Sequence, residues 1–263
     1  MAIHSPPFCE MRQNKIFGMA KDTQENMKFG IELTEIPVEI ELRYPDALPT
    51  FSSYRTGRHP LVSVSVSPEE VISARGRYEP GSSDPYIEYM ELSAKISDAL
   101  LPLNRVLFHG AAFQWCGKAW ILTAPSGTGK TTQYLLWKEC FGEDVQIING
   151  DKPVLCLADG KPIVFPSPWN GKESMGQKIS APLGGIILLR KSRENRIRRL
   201  TAQEAAGPLF IQFLFSRRTK QDVSAVAKLE ESMLRQIPVW LLDNRGDPAS
   251  ARLCHDTLAE VNK

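Results

Sequence analysis

The spacing of apolar residues changes character along this chain. From Gly30 to about Arg77 they recur at every second position, as Val38, Ile40 and Leu42 in "IELTEIPVEIEL" and again up to Val66 in "LVSVSVS". A period of two turns one face of a strand inward and the other to water, so this stretch predicts half-exposed sheet, punctuated by Pro45, Pro49, Gly57 and Pro60. "SDPYIEYMELSAKISDALLP" then moves to helical spacing, with Asp84 placed as an N-cap, Pro85 as the first helical residue, and Ile87, Met90, Ala94 and residues 96–100 on the apolar side. Beyond it come short apolar runs between turn residues: "RVLFHGAAFQW" leading into Ala119–Leu122, Val145–Ile148, the two halves of "KPVLCLADGKPIVF", Gly185–Leu189 and "PVWLLD". Such runs predict buried strands, and Asp159-Gly160 predicts a hairpin turn between the third pair. "TTQYLLWKECF" predicts a helix of about three turns closed by Gly142. "TAQEAAGPLFIQFLFS" and "SAVAKLEESMLRQ" predict two more, and "DPASARLCHDTLAEV" a closing helix capped by Asp247. Residues 1–27 are polar and aperiodic, which predicts a disordered tail. The organisation expected is therefore tail 1–27, a β-rich region 28–83 and an α/β domain 84–263.

One segment between a predicted strand and a predicted helix carries chemistry. In "TAPSGTGKTTQ", residues 124–131 fit the phosphate-loop pattern G-x-x-x-x-G-K-[ST] except that Ala124 stands first. Gly127 and Gly129 allow the backbone to curl so that successive N–H groups converge on an anion, and the helix that follows adds its positive N-terminal end. Ser126, Gly127, Thr128, Gly129, Lys130, Thr131 and Thr132 are the expected phosphate-binding residues. Lys130 is expected to lie exposed in the nest and reach the outer phosphates, and Thr131 to ligate Mg2+. Asp151 follows the next apolar strand, where the end of a strand parallel to the loop's own strand points at bound metal.

The stretch "FHGAAFQWCGKAWILTAPSGTGKTT" resembles the nucleotide site shared by HPr kinase/phosphorylase and ATP-dependent phosphoenolpyruvate carboxykinase. The loop itself looks like the carboxykinase loop. The Phe108-His109-Gly110 start and the chain length are more similar to the HPr kinase group and its smaller relatives, which include kinases tied to modified-peptide pathways. The resemblance is strong from Leu107 to Asp151, weaker to Arg199 and negligible before Asp84. It implies an α/β P-loop domain with a mixed central sheet, and transfer of the ATP γ-phosphate to a hydroxyl of a protein, a peptide or a small molecule. Carried over, residues 127–131 would hold the β- and γ-phosphates, and His109 would sit beside metal and transferred phosphate. Thr131 and Asp151 would hold Mg2+, and Asp151 or His109 would take the hydroxyl proton. The family has a pair of acidic residues where this chain has Gly150-Asp151-Lys152. With one carboxylate missing, a nucleotide-binding regulator or pseudokinase is the alternative. Lys172, in the loop Trp169–Gln177, is either a cation for the transferred phosphoryl group or part of an ordinary surface loop.

Composition narrows the partners. The chain has 263 residues and a net charge of +2, too small a field to argue for nucleic acid. The cluster "RKSRENRIRR" is expected to be a solvated turn. Five dispersed cysteines without a C-x-x-C pair suggest reduced thiols, and no stretch has signal-peptide or membrane-span length, so a cytoplasmic protein is expected, with homo-oligomerisation left open. No Asn-Lys-x-Asp element for reading guanine is present, which weighs against a GTPase. His4, His59 and His255 have no partner spacing.

Overall fold

The computed structural model describes residues 26–171 and 176–261. The predicted tail lies outside the described residues up to residue 25, and so does Lys172. The chain divides into two compact units between Ala99 and Leu100. Among the described residues no helix is long and apolar enough to cross a membrane.

In the first unit β1 (Met27–Leu33) and β2 (Ile36–Leu42) form an antiparallel hairpin, and β3 (Val62–Ser65) adds to β2 in parallel. Thr34 and Glu35 turn the hairpin with φ of 50° and 67°, a left-handed pair whose twist matches that of the strands. The alternation read from the sequence is realised: Val38, Ile40 and Leu42 are fully buried. Strand character was expected as far as Arg77, but α1 (Pro68–Ala74) interrupts it. Ser67 accepts from the Glu70 backbone while the Glu70 carboxylate accepts from the Ser67 backbone, a reciprocal cap that satisfies two donors at the helix start. The helix α2 (Asp84–Leu100) follows as expected. On it the buried Glu88 accepts the backbone N–H groups of Arg43 and Tyr44, at 2.8 and 3.1 Å.

The second unit is built on a ten-stranded mixed sheet. Its strands are β4 (Arg105–Phe108), β5 (Ala111–Trp115), β6 (Lys118–Thr123), β7 (Gln146–Asn149), β8 (Val154–Ala158), β9 (Lys161–Phe165), β10 (Ala181–Lys191), β11 (Arg196–Leu200), β12 (Phe213–Leu214) and β13 (Val239–Asn244). The 11-residue β10 is the hinge of the layout. Its first residues pair with β9, and its remainder runs parallel to both β6 and β13. One face packs under α4 (Ala202–Phe210) and α5 (Lys220–Leu234), the other under α3 (Lys130–Phe141) and α6 (Pro248–Val261). Successive residues of β6 go to opposite cores, Ala119 and Ile121 to one, Trp120 and Leu122 to the other. That is why "AWIL" reads as a continuous apolar run. Trp120 and Trp137 are almost fully buried, each removing a large apolar surface from water.

Two expectations need correction. The basic cluster is not all turn: β10 runs through Lys191, and Arg196–Leu200 forms an edge strand antiparallel to β13. Its arginines are exposed, as charge on an edge strand should be. The helix expected through Ser216 stops at Phe210, after which Phe213 and Leu214 pair with Phe108 and Leu107 of β4. Tertiary pairing overrides local helical preference there.

On the buried face of α5, Glu230 is 5% exposed and its Oε1 has no hydrogen-bond partner. Burial pushes its carboxyl from 4.5 up to about 7. The folded state thus holds this proton more tightly than the unfolded chain, so stability is full below pH 4.5 and falls as pH rises through about 7. The loss is roughly 3 kcal/mol. Glu230→Gln should therefore melt at a higher temperature than wild type at pH 8, and most of that advantage should vanish by pH 5. A difference independent of pH would show that Glu230 is ionised or solvated in the native state.

Candidate active site

Sheet topology assembles this site from segments far apart in sequence. β5 lies between β6 and β7 and is antiparallel to both. The carboxyl ends of β6 and β7 and the start of β5 therefore meet at one sheet edge. These are the points from which residues 124–129, Gly150 to Lys152 and the His109-Gly110 pair emerge. β7 runs in the same direction as the loop's strand, as expected, but β5 separates them.

The loop after β6 has the backbone a phosphate nest needs. Gly127 and Gly129 have φ of 74° and 109°, and an added Cβ at either would meet no atom within 4 Å, so the space over the loop is open. Ala124, the departure from the motif, has an ordinary negative φ, and its methyl group is fully buried. Nothing at that position requires glycine. The first turn of α3 leaves its N–H groups without intrahelical acceptors, facing the same opening. Lys130 differs from expectation: it is 9% exposed, and its ammonium folds back to donate to the Ala124 carbonyl at 2.8 Å. Burial lowers its pKa, a shift that the nearby Asp151 charge opposes.

His109 is held at every polar atom except one. Its N–H donates to the Gln212 carbonyl at 2.8 Å, its C=O accepts from the buried Thr123 hydroxyl at 2.7 Å, and Nδ1 lies 2.9 Å from Gln212 Oε1. Nε2 faces Asp151 Oδ1 at 3.7 Å, beyond hydrogen-bond range. Burial lowers the imidazole pKa, helped by the Lys130 charge and opposed by Asp151, so the ring is neutral near pH 7.

Asp151 is presented by an asparagine turn. Asn149 Oδ1 accepts from the N–H groups of Asp151 and Lys152, at 2.9 and 2.7 Å, while its Nδ2 donates to the Ser167 carbonyl at 3.0 Å. Gly110 N–H donates to the Asp151 carbonyl at 2.9 Å, tying the start of β5 to the end of β7. Lys152 is 8% exposed and its ammonium is bonded to Asp151 Oδ2. Burial raises the Asp151 pKa, but the charge and hydrogen bond of Lys152, with the Lys130 charge behind it, outweigh that and hold it below its usual value. Two ammonium groups thus face one carboxylate and one neutral imidazole, leaving an excess of positive charge beside the loop, the sign that an anionic ligand requires.

The residues suit phosphate and a hard cation. The open nest and Lys130 could hold phosphate oxygens, and Thr131 with Asp151 offers the oxygen donors of a Mg2+ site that phosphate oxygens complete. No group of three or more His, Cys, Asp or Glu that could hold a metal occurs among the described residues.

Sequence reasoning singled out His109, Lys130 and Asp151, and the structure brings them together. It missed Asn149 and Gln212. Asn149 was visible as Asn-Gly-Asp, a turn signal. Gln212 carried no signal, because it lay inside a stretch read as helix. Trp169, expected in a surface or active-site loop, is 1% exposed, and its carbonyl accepts from Lys152 N–H at 3.0 Å.

No family model matches the chain, and no curated protein matches it. Among solved structures, one that matches is the "Structure of the Hpr(Ser) kinase/phosphatase from Coxiella burnetii", at 12% identity and a TM-score of 0.37, covering 60% of this chain and 99% of that one. Functional inference therefore rests on the residues of the site.

Gly150 is held closely against Asn170. Its N–H donates to Asn170 Oδ1 at 2.6 Å, and a Cβ there would stand 2.6 Å from the Asn170 carbonyl oxygen. That is backbone, which cannot swing aside. Gly150→Ala should cost about 1–3 kcal/mol by overpacking, seen as a fall in thermal midpoint. An unchanged midpoint would mean that residues 150 and 170 separate at no cost.

Proposed function

We propose that this protein is an ATP-dependent phosphotransferase that passes the γ-phosphate to a hydroxyl of a serine or threonine in a protein or peptide, or of a small molecule. The observation that carries this reading is the convergence, at one sheet edge, of an open glycine nest, the buried Lys130 and the His109–Asp151–Lys152 cluster. Residues 126–132 bind the triphosphate through backbone N–H groups, the Lys130 ammonium and the Thr131 and Thr132 hydroxyls. Mg2+, held by Thr131 and Asp151, would supply charge neutralisation on the phosphates. Lys152 steadies Asp151 as a carboxylate and adds charge next to the transferred group. His109, whose Nε2 has no hydrogen-bond partner, accepts the hydroxyl proton in preference to Asp151, one of whose oxygens is taken by Lys152. Transfer of this kind depends on positioning and electrostatics more than on covalent participation.

A second reading has its own support. The families that the loop resembles carry two acids where this chain has Gly150-Asp151-Lys152, and Lys152 is bonded to the one acid present, so a nucleotide-binding regulator that transfers nothing is favoured by the Asp151–Lys152 pair itself. Turnover by the wild type separates the two readings, and in a regulator Lys152→Asp, which replaces that cation by a carboxylate, is the change that could create activity. A regulator binds ATP without turnover in the wild type, and an enzyme turns over before any change is made.

Lys130→Met keeps the buried stem and deletes the charge. ATP affinity measured by calorimetric titration should fall at least tenfold, about 1.4 kcal/mol. Equal affinities would remove the loop from the proposal. In phosphoryl-transfer assays His109→Ala should lose about 10²-fold or more in rate, whereas Asp151→Asn should act chiefly on Mg2+-dependent ATP affinity. The reverse pattern, with Asp151→Asn losing rate at unchanged affinity, would make Asp151 the proton acceptor.

A further inference from the structure

We infer that Gln212 is the positioning residue of this site: its side chain fixes the ring plane and the tautomer of His109. The inference rests on His109 being the proton acceptor and assigns what makes its Nε2 available. Gln212 is 5% exposed and stands between the end of α4 and β12, whose first residue pairs with Phe108 just before the histidine. Its own N–H is bonded to the Leu209 carbonyl at 2.9 Å, so the backbone that carries the amide is itself anchored. It then holds His109 twice, through its carbonyl to the His109 N–H at 2.8 Å and through Oε1 to Nδ1 at 2.9 Å. The first bond is a backbone bond that any residue at position 212 would make. The second is chosen by the side chain.

An amide oxygen can only accept, so Nδ1 must carry the proton that it accepts, and in a neutral imidazole Nε2 is then bare. The carboxylate of Asp151 makes no competing claim, since 3.7 Å is too long for an Nε2–H to Oδ1 hydrogen bond. The lone pair of Nε2 therefore points at the sheet edge where the loop and Asp151 meet. Without the Gln212 oxygen, the carboxylate would draw a proton onto Nε2 by turning the ring toward itself, and the base would be lost. Orientation of a catalytic imidazole by a hydrogen bond at its far nitrogen is a general requirement of acid–base sites.

Nitrogen-15 correlation spectra of the full chain at a pH where the His109 ring is neutral report the tautomer directly, with no nucleotide present. Wild type should show the proton on Nδ1. Gln212→Met should shift the population toward Nε2–H, and Gln212→Glu, which keeps an acceptor oxygen, should restore Nδ1–H. In steady-state assays Gln212→Met should lower kcat by about 10²-fold with KM for ATP changed little, and Gln212→Glu should recover much of the rate. A wild-type proton on Nε2, donated toward Asp151 with the Gln212 amide presenting its NH2, would overturn the inference before any variant is made. So would a Gln212→Met protein whose tautomer and kcat match wild type. If wild type binds ATP but transfers no phosphate, the phosphotransferase reading falls, while the spectra still decide whether Gln212 sets the tautomer.

Discussion

A single backbone hydrogen bond, from the Gly110 N–H to the Asp151 carbonyl, joins the two ends of chain that this site cannot do without. It closes the gap between the start of β5 and the end of β7, where the pairing of the two strands stops two residues short, at Ala112 and Asn149. The next bond along, Phe108 N–H to the Pro153 carbonyl at 2.9 Å, continues the same stitching into β4 and β8. Between these two bonds lies His109, whose Nε2 faces Asp151 Oδ1 at 3.7 Å. Because both donors and acceptors are main-chain groups, the arrangement is insensitive to most side-chain changes in the segment. It depends instead on the space that Gly150 leaves for Asn170.

On that frame the electrostatics follow from a short list of groups. Lys130 and Lys152 are both buried, and each bonds to a group at hand, the Ala124 carbonyl and the Asp151 carboxylate. Neither is solvated as a surface lysine would be. A buried ammonium is costly unless a counter-charge is near, and here two share one carboxylate. An anion placed over the loop would relieve that imbalance, which links the burial of the lysines to affinity for phosphate. Burial, with the Lys130 charge added, likewise holds the His109 imidazole below its usual pKa, and the Asp151 charge only partly offsets this.

The second unit also ties the helix behind the loop to its neighbour. α3, which begins at the loop, is locked at its first turns by the buried Gln133, whose Oε1 accepts from the Ser250 hydroxyl of α6 at 2.9 Å. Ser250 is in turn held by Asp247, the cap expected for that helix, whose carboxylate accepts from the Ser250 N–H at 3.0 Å. The loop is thereby anchored behind while its front stays open.

Much of this was legible in the chain itself. The alternation at Val38, Ile40 and Leu42, the buried run around Trp120, the Asp159-Gly160 turn and the strand-loop-helix around Lys130 all follow from local rules of periodicity, turn chemistry and capping. The candidacy of Lys130 and Asp151 followed from the loop motif and the strand after it, and that of His109 from the family that the stretch resembles. What required the fold were features that arise only when distant segments meet. Gln212 could not be found while its segment read as helix, since pairing with β4 is what stops that helix at Phe210. The exposure expected of Lys130 gave way to burial because the Ala124 carbonyl lies within its reach. That position 150 is glycine was visible, but the reason, the Asn170 carbonyl 20 residues on, is a steric fact of tertiary structure. Local sequence determines which backbone conformations and faces are available to each segment. Which atoms then compete for the same space, charge or hydrogen bond is decided only where the segments pack.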